Sequence, residues 1–221
     1  LKIALIADTH FGPKNDDAFI RRAVAKANAL QPDIALLAGD YLSDIQYATA
    51  CAQALGGLST ASGTFAVFGG HDYQQGEEIL TREFQNAGIR VMKNGNAKIG
   101  RNTFLITLDD RIFGRPDIEK AYRRVPRDSV RIVLTHTPRA FPDIRDRNSI
   151  VLSGHTHAGQ LDIPGIPRNQ LPGLMSYEYI RGWYHDGDST LYVNRGLGTV
   201  IPYMRFRARP EISLFTISNG A

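Results

Sequence analysis

Short apolar runs alternate with amphipathic segments along the first third of the chain. Lys2–Ala7, Asp33–Ala38 and Thr64–Phe68 are rich in apolar residues, whereas Asp16–Leu30 and Asp44–Leu55 repeat apolar residues every three or four positions. Short apolar runs are typical of strands buried on both faces, and the wider spacing is typical of a helix with one buried face. The order predicts a β-α-β-α-β unit built on a parallel sheet.

The remaining pattern predicts a more mixed arrangement. A helix is expected near Glu77–Ala87, and Asn94-Gly95 then separates two short strand candidates, Ile89–Met92 and Ala97–Ile99, so we predict a two-residue hairpin there. Further strands are predicted at Thr103–Leu108, Val130–Leu134, Ser149–Leu152, Leu191–Asn194 and Glu211–Ile217, with helices near Asp117–Arg124 and after Pro138. Gly154–Tyr184 has no clear period and is expected to be a long functional loop.

These elements predict an α/β fold in which two mixed sheets lie face to face with helices outside, a four-layer α/β/β/α sandwich. The chain has 221 residues, of which 43% are hydrophobic and 22% charged, so a single domain over residues 1–221 is expected. No apolar run reaches the ~18–20 residues that a membrane span needs. The one cysteine, Cys51, excludes an intramolecular disulfide and a thiolate cluster, so a metal site would have to use His, Asp or Asn.

Charge narrows the range of partners only partly. The formal net charge is +4, and arginines gather at Arg123–Arg131, Arg139–Arg147 and Arg205–Arg209. Such clusters suit phosphate-bearing ligands or a membrane surface. The alternative is that they lie on a solvated face without a partner, and the sequence has no aromatic-interleaved platform or DNA-binding motif.

Polar residues follow five of the strand-like runs. They stand in the segments Ala7–His10, Ala38–Asp40, Phe68–Asp72, Leu134–His136 and Leu152–His157, which hold five of the six histidines. Ligands bind at the carboxyl ends of strands in open α/β sheets, and residues two apart in an extended segment project to the same side. Carboxylates and imidazoles are ligands for Mn, Fe or Zn, although a single Asp-x-His pair taken alone fits a capping Asp with a surface His better.

Read together, the segments ADTH, AGDY, FGGHDY, LTHTP and SGHTHAGQ resemble the motifs of the calcineurin-like metallophosphoesterase superfamily. The tail motifs NRGLGT and RPEI resemble its bacterial membrane-associated branch, which includes UDP-diacylglucosamine pyrophosphohydrolases and twin-arginine-exported phosphoesterases. The resemblance implies hydrolysis of a phosphodiester or pyrophosphate bond by a metal-bound hydroxide on a dinuclear centre. It also implies a bacterial protein that associates with a membrane through a segment outside this chain.

The same resemblance implies individual roles. Asp40 would bridge two divalent ions, Mn being expected and Fe or Zn being alternatives, and His71 would donate a proton or stabilise the phosphoryl charge. The first ion would be held by Asp8, His10, Asp40 and His157, and the second by Asp40, His136 and His155. Two such ions acidify water and stabilise charge during in-line attack.

Gly70 departs from the family pattern. The family has Asn at this position as a ligand of the second metal, and glycine has no side-chain atom to replace it. We therefore expect a weakened second site. The alternatives to a hydrolase are a metal-binding scaffold that has lost hydrolysis and an arginine-driven nucleic-acid binder, whose affinity would depend steeply on salt and need no metal.

Residues after the metal motifs are expected to select the substrate. Arg181 and Arg195 are the predicted substrate contacts, since arginine binds phosphate in a bidentate manner. The other candidates in this region are Gln160, Trp183, Tyr184 and His185. The expected partner is a phosphoester or pyrophosphate small molecule, such as a nucleotide-linked lipid, with no specific nucleic acid.

Overall fold

The computed structural model describes residues 1–165 and 178–218. Four α-helices lie in these ranges: α1 Asp17–Ala29, α2 Ala48–Gly56, α3 Gly70–Asn86 and α4 Ile118–Tyr122. The strands are β1 Lys2–Ile6, β2 Ile34–Leu37, β3 Thr64–Ala66, β4 Ile89–Val91, β5 Gly95–Gly100, β6 Thr103–Thr107, β7 Val130–Leu134, β8 Ile150–Ser153, β9 Gly182–Asp186, β10 Ser189–Val193 and β11 Ser213–Thr216.

The strands form two mixed sheets. The first has the order β11-β1-β2-β3-β4, in which β1 to β4 are parallel and β11 runs antiparallel to β1. The second has the order β5-β6-β7-β8-β10-β9, with a parallel centre and an antiparallel strand at each edge. The predicted α/β class with two mixed sheets flanked by helices is confirmed.

Alternation along the strands divides the core into three layers. Ile34 and Leu36 of β2 pack between the sheets, in the same cluster as Ile132 and Leu134 of β7. Ala35 between them, and Leu37 after them, instead pack under α1 and α2. On the far side, Val133 of β7 packs with residues of α4 and of the short 3-10 helix Pro138–Asp143. Because both faces of each central strand are covered, these strands are continuous apolar runs rather than alternating ones.

The predicted hairpin at Asn94-Gly95 is wrong. β4 pairs in parallel with β3 in the first sheet, whereas β5 pairs with β6 in the second, so the turn carries the chain from one sheet to the other. The side chain of Asn94 explains the turn, because its Oδ1 accepts the backbone N–H groups of Asp109 and Asp117, both at 3.0 Å. The sequence alone does not distinguish an asparagine in a hairpin turn from one whose side chain hydrogen-bonds backbone groups far away in the chain.

Two further boundaries differ from the expectation. α3 begins at Gly70, seven residues before the predicted start, and bends at Gly76, where φ is 132°. The expected loop Gly154–Tyr184 includes the beginning of β9, and residues 166–177 of it lie outside the described residues. Among the described residues, no helix is both long and apolar enough to cross a bilayer.

Candidate metal centre

The predicted ligands stand on unusual backbone. Five of the six have positive φ: Asp8 53°, His10 41°, Asp40 55°, His155 75° and His157 50°. Non-glycine residues rarely adopt this left-handed region. Each residue in it costs about 1–3 kcal/mol, so the conformation persists only where the surrounding structure enforces it. Such strain concentrates at functional sites.

The first cluster joins the ends of β1 and β8. His10 Nε2 lies 3.0 Å from His157 Nε2, and His157 Nε2 lies 3.7 Å from Asp8 Oδ1. All three side chains are buried. The backbone N–H of His155 donates to both carboxylate oxygens of Asp8, at 3.0 and 2.9 Å, which fixes that carboxylate between the two strands.

The second cluster contains Asp40, His136 and His155. His136 Nε2 lies 3.3 Å from Asp40 Oδ2 and 3.1 Å from His155 Nδ1. Asp40 Oδ2 also lies 3.8 Å from His10 Nε2, so this carboxylate stands between the two clusters. Within each cluster, one ligand atom per residue can be chosen so that all lie within 4.8 Å of one another.

These donor atoms fit divalent cations. His136 Nδ1 lies 2.7 Å from the carbonyl oxygen of Ala38, and a donated N–H there leaves the Nε2 lone pair facing Asp40. Lone pairs and carboxylate oxygens that converge in a buried place repel one another unless a proton or a cation lies among them. The set of imidazole nitrogens and carboxylate oxygens suits Mn, Fe or Zn.

The pKa values reflect this burial. Burial lowers the pKa of His10 to about 4 and that of His155 to about 3, so both imidazoles are neutral at pH 7 and able to coordinate a metal. Burial alone would raise the pKa of Asp40, but His136 and His71 hold it well below its usual range. Burial likewise lowers the pKa of His136, yet the Asp40 carboxylate outweighs it and raises the value to about 10. The Asp40 charge therefore attracts a cation, or a proton, to the second cluster.

His71 lies at the edge of this centre. Its backbone N–H donates to Asp40 Oδ1 at 2.9 Å, and its Nδ1 lies 3.0 Å from Asp40 Oδ2. Its side chain is 45% exposed, in contrast to the buried ligands, and its ring packs edge-on against His10. The hydrogen bond to Asp40 raises the pKa of His71 above its ordinary value. His71 is therefore placed to hold a proton at the exposed edge of the centre.

Asp72 is a structural residue that the sequence analysis did not single out. Its buried carboxylate accepts the backbone N–H groups of Gly69, Asp40 and Tyr41 at 2.9, 2.7 and 2.8 Å. Three such bonds tie the loop after β2 to the loop after β3, and thereby align Asp40 with His71. In the sequence, only its position directly after His71 could have indicated that Asp72 supports the site.

Phe113 occupies the space beside Gly70. A Cβ built on Gly70 would lie 2.7 Å from Phe113 Cδ2 and 2.8 Å from its Cε2. The ring is held there by its loop, because Asp110 Oδ2 accepts the backbone N–H groups of Ile112 and Phe113 at 2.8 and 2.7 Å. Any side chain at position 70 must displace this ring.

We expect Gly70→Asn alone to lower the melting temperature by about 3 °C, because overpacking costs about 1 kcal/mol where a half-exposed ring can move. Combined with Phe113→Ala, the same change should be accepted without that loss and should tighten Mn binding. Differential scanning calorimetry and Mn titration measure the two effects, with Gly95→Asn as a control, because the nearest atom to a Cβ there lies at 3.8 Å. An unchanged melting temperature in Gly70→Asn alone, or an equal decrease in the double variant, would contradict the role given to Phe113.

Arg205 lies against the first cluster, a role that the sequence did not indicate. Its guanidinium donates to the carbonyl oxygens of Gly198, His157, Arg195 and Ala208, and Nη2 lies 3.1 Å from His157 Nδ1. Burial lowers its pKa to about 10. The side chain joins the loop after β10 to the His157 segment, which lies 48 residues before it in the chain.

Arg205→Met should lower the free energy of unfolding by about 2–4 kcal/mol, since it leaves several partly buried carbonyl groups without their donor. Urea denaturation measures this change. The exposed Arg209 supplies the matched control, Arg209→Met, for which we expect less than about 0.5 kcal/mol. Equal destabilisation by the two variants would show that the Arg205 contacts contribute nothing.

The predicted substrate contacts are engaged in other interactions. Arg181 pairs with Asp162 at 3.1 Å, and Arg195 pairs with Glu211 at 3.1 Å. Both arginines stay predictions as phosphate contacts. Of the other candidates, Trp183, Tyr184 and His185 lie on β9, where the Trp183 ring packs against Tyr192 and Phe215. The buried Gln160 holds the loop that begins at Val200.

A cavity of about 330 Å³ opens beside the centre. Its wall includes His10 and His71 of the candidate centre, together with Lys14, Thr199, Ile201 and Tyr203. Asn15 links the segment of His10 to the segment of Thr199, since its Nδ2 donates to the carbonyl oxygens of these two residues at 3.0 and 3.1 Å. The cavity is therefore a formed feature that borders His10 of the first cluster and His71.

Comparison with known proteins agrees with this geometry. Residues 1–218 match the family described as "Calcineurin-like phosphoesterase superfamily domain". The chain is 29% identical to the "Uncharacterized metallophosphoesterase YkuE" of Bacillus subtilis, over 99% of this chain and 79% of that protein. It is 30% identical to "Phosphodiesterase YaeI" of Escherichia coli, over 98% of this chain and 82% of that protein.

The fold has solved counterparts as well. A dimetal phosphatase from Danio rerio superposes with a TM-score of 0.59 at 12% identity, covering 89% of this chain and 87% of that one. The chain spans between 48% and 58% of the length of four longer curated relatives. From the match over residues 1–218, the chain belongs to the calcineurin-like phosphoesterase superfamily and is a metallophosphoesterase domain.

Proposed function

We propose that this domain hydrolyses phosphodiester or pyrophosphate bonds with two divalent cations. The observation that carries the proposal is that two buried clusters of nitrogen and oxygen donors stand on either side of Asp40 and beside an open cavity. Asp8, His10 and His157 would hold one cation, and His136 and His155 the other, with Asp40 shared. Mn is the proposed metal, and Fe or Zn suits the same donors.

When bound, two such cations lower the pKa of water and neutralise charge on the phosphoryl oxygens. The protein contributes the placement of the reacting groups. Burial keeps the imidazoles of His10 and His155 neutral, and Asp72 ties the segment of Asp40 to that of Gly69. A substrate phosphate in the cavity would reach the clusters from the side on which His71 is exposed.

His71 would supply the proton that the leaving oxygen takes up. Its Nδ1 is held by Asp40, which favours the protonated ring and aims the other edge away from the carboxylate. General-acid catalysis of this kind contributes about 10²- to 10⁴-fold to rate. The role needs a solvent-accessible ring, and the His71 side chain is 45% exposed whereas that of His10, the other histidine in the cavity wall, is 3% exposed.

A diester or pyrophosphate is the proposed substrate class. One relative is named a phosphodiesterase, and the cavity wall includes Lys14, Ile201 and Tyr203 besides His10 and His71. A single cation with apolar neighbours suits a phosphate that carries an organic group on each side, such as a nucleotide-linked lipid. We extend this to association with a membrane, in keeping with the resemblance of the tail motifs to the membrane-associated branch.

Hydrolysis of bis-p-nitrophenyl phosphate by the Mn-loaded chain tests the proposal. We expect turnover that is lost on treatment with EDTA and restored by Mn. Metal bound without hydrolysis of any diester or pyrophosphate would favour the scaffold alternative. Salt-dependent binding of DNA or RNA that persists in EDTA, with no hydrolysis, would favour the nucleic-acid binder.

A further inference from the structure

Exposed apolar side chains gather in one short loop beside the cavity. Ile201 is 71% exposed, Met204 59%, Tyr203 53% and Phe206 49%. Among the described residues, ten large hydrophobic side chains are exposed, and four of these ten lie within this stretch of six residues. Single exposed apolar residues need no explanation, but a cluster of them marks an interaction surface.

The loop is held in a fixed position. Gln160 Nε2 donates to the carbonyl oxygen of Val200 at 2.8 Å, and Gln160 Oε1 accepts the Val200 N–H at 3.0 Å. At the other end, the backbone N–H of Phe206 donates to the Gln160 carbonyl at 2.9 Å, and Arg205 is anchored in the interior. The apolar side chains are therefore displayed by an ordered backbone that keeps them out of the core.

The charged side chains of residues 200–209 are all positive. The segment from Val200 to Arg209 contains three arginines and no carboxylate, and Arg207 and Arg209 are exposed. Lys14 adds a further cation, with its Nζ 6.0 Å from the centre of the Tyr203 ring. This combination matches an anionic lipid surface. The apolar and aromatic side chains suit the boundary of the acyl chains, and the arginines suit the phosphates of the headgroups. A second copy of the chain is a poorer match. In a two-fold contact the same surface of both copies would meet, so the arginines of one copy would face the arginines of the other.

We propose that the loop of residues 200–207 docks onto an anionic lipid membrane and places the cavity mouth at the level of the headgroups. Ile201 and Tyr203 belong both to this surface and to the cavity wall that includes His10 and His71. A headgroup phosphoester can then enter the cavity while its acyl chains stay in the bilayer. The docking surface stands on the exposure and charge of the loop, and the headgroup as substrate rests on the proposed function.

Vesicle flotation tests the docking surface. The whole chain, in EDTA, is floated with phosphatidylcholine vesicles that contain or lack phosphatidylglycerol. We expect binding only to the anionic vesicles, and a loss of about tenfold or more in Met204→Ser/Phe206→Ser, because two inserted side chains are removed. The matched control is Ile79→Ser/Leu214→Ser, which removes side chains that are 42% and 38% exposed elsewhere on the surface, and it should bind like the parent chain.

Separate readouts distinguish the two proposals. Neither Met204 nor Phe206 lies in the cavity wall, so the double variant should hydrolyse soluble bis-p-nitrophenyl phosphate at the parent rate. Equal vesicle binding by the loop variant and the control, or no binding by the parent chain, would overturn the docking surface even if hydrolysis is present. A dimer in light scattering that the loop variant abolishes, without vesicle binding, would overturn it in favour of a second copy. Vesicle binding without any hydrolysis would leave the docking surface standing and refute the headgroup as substrate.

Discussion

Replacing Asp40 with asparagine is expected to lower hydrolysis by at least about a thousandfold and to remove tightly bound metal. The carboxylate oxygen Oδ2 lies 3.3 Å from His136 Nε2 and 3.8 Å from His10 Nε2, so one charged group serves both clusters. Loss of residues that only orient a metal ligand costs about 10- to 100-fold in affinity or activity. Loss of a shared ligand that also carries the negative charge should cost more.

Asparagine is the informative replacement because it keeps the shape of the side chain. Its carbonyl oxygen can still accept the His71 backbone N–H, which Asp40 Oδ1 accepts at 2.9 Å. Both replacements remove the charge that faces His136, but alanine would in addition leave the His71 N–H without its acceptor, and an unsatisfied buried donor costs about 1–3 kcal/mol of stability. A loss of activity in Asp40→Asn with an unchanged melting temperature of the metal-free protein therefore reports on the centre rather than on folding.

Elemental analysis of bound Mn and the kcat for bis-p-nitrophenyl phosphate measure the effect. Asp16→Asn is the control, since it makes the same chemical change at the N-cap of α1, where asparagine caps as well as aspartate. Asp16→Asn should keep the metal and the rate of the parent chain. Retention of both by Asp40→Asn would refute the shared-ligand role.

The ligand positions were predictable because they depend on strand ends. A parallel strand buried on both faces has a recognisable sequence, and its carboxyl end lies at a known edge of the sheet. The sequence therefore predicts that Asp8, Asp40 and His136 lie close together in space, although they are far apart in the chain. Which residues actually hold a metal stays a prediction, since the geometry supplies only convergence of their donor atoms.

The parts that the sequence did not reveal depend on contacts between distant segments. Asn94-Gly95 carries a strong local hairpin signal, yet β4 and β5 join different sheets, because the neighbouring strand and not the turn selects the partner. Phe113 beside Gly70, and Arg205 beside His157, have no local pattern at all. Their roles follow from packing across the fold.

His71→Gln is expected to separate the leaving groups of different substrates. Turnover of esters with a poor leaving group, such as an alkyl alcohol or a nucleoside, should fall by about 10²- to 10⁴-fold, because the departing oxygen then lacks its proton donor. Esters of p-nitrophenol should lose much less, since that oxygen leaves without protonation. Parallel assays of bis-p-nitrophenyl phosphate and p-nitrophenyl thymidine phosphate, with release of either alcohol quantified, measure the contrast.

The pH profile provides a second readout of the same group. Because the hydrogen bond to Asp40 raises the pKa of His71, the protonated ring persists above the ordinary value of 6.5. The rate for poor leaving groups should therefore decline on the alkaline side as His71 loses its proton, and this decline should be absent in His71→Gln.

Metal content decides whether His71 donates a proton or coordinates a cation. His71 forms a third group of donor atoms with His10 and Asp40, so a ligand role is chemically available. His71→Gln should nevertheless bind as much Mn as the parent chain, because its Nδ1 already hydrogen-bonds Asp40 and its ring is half-exposed to the cavity. Loss of one Mn per chain, with equal loss of rate for both classes of leaving group, would make His71 a metal ligand instead.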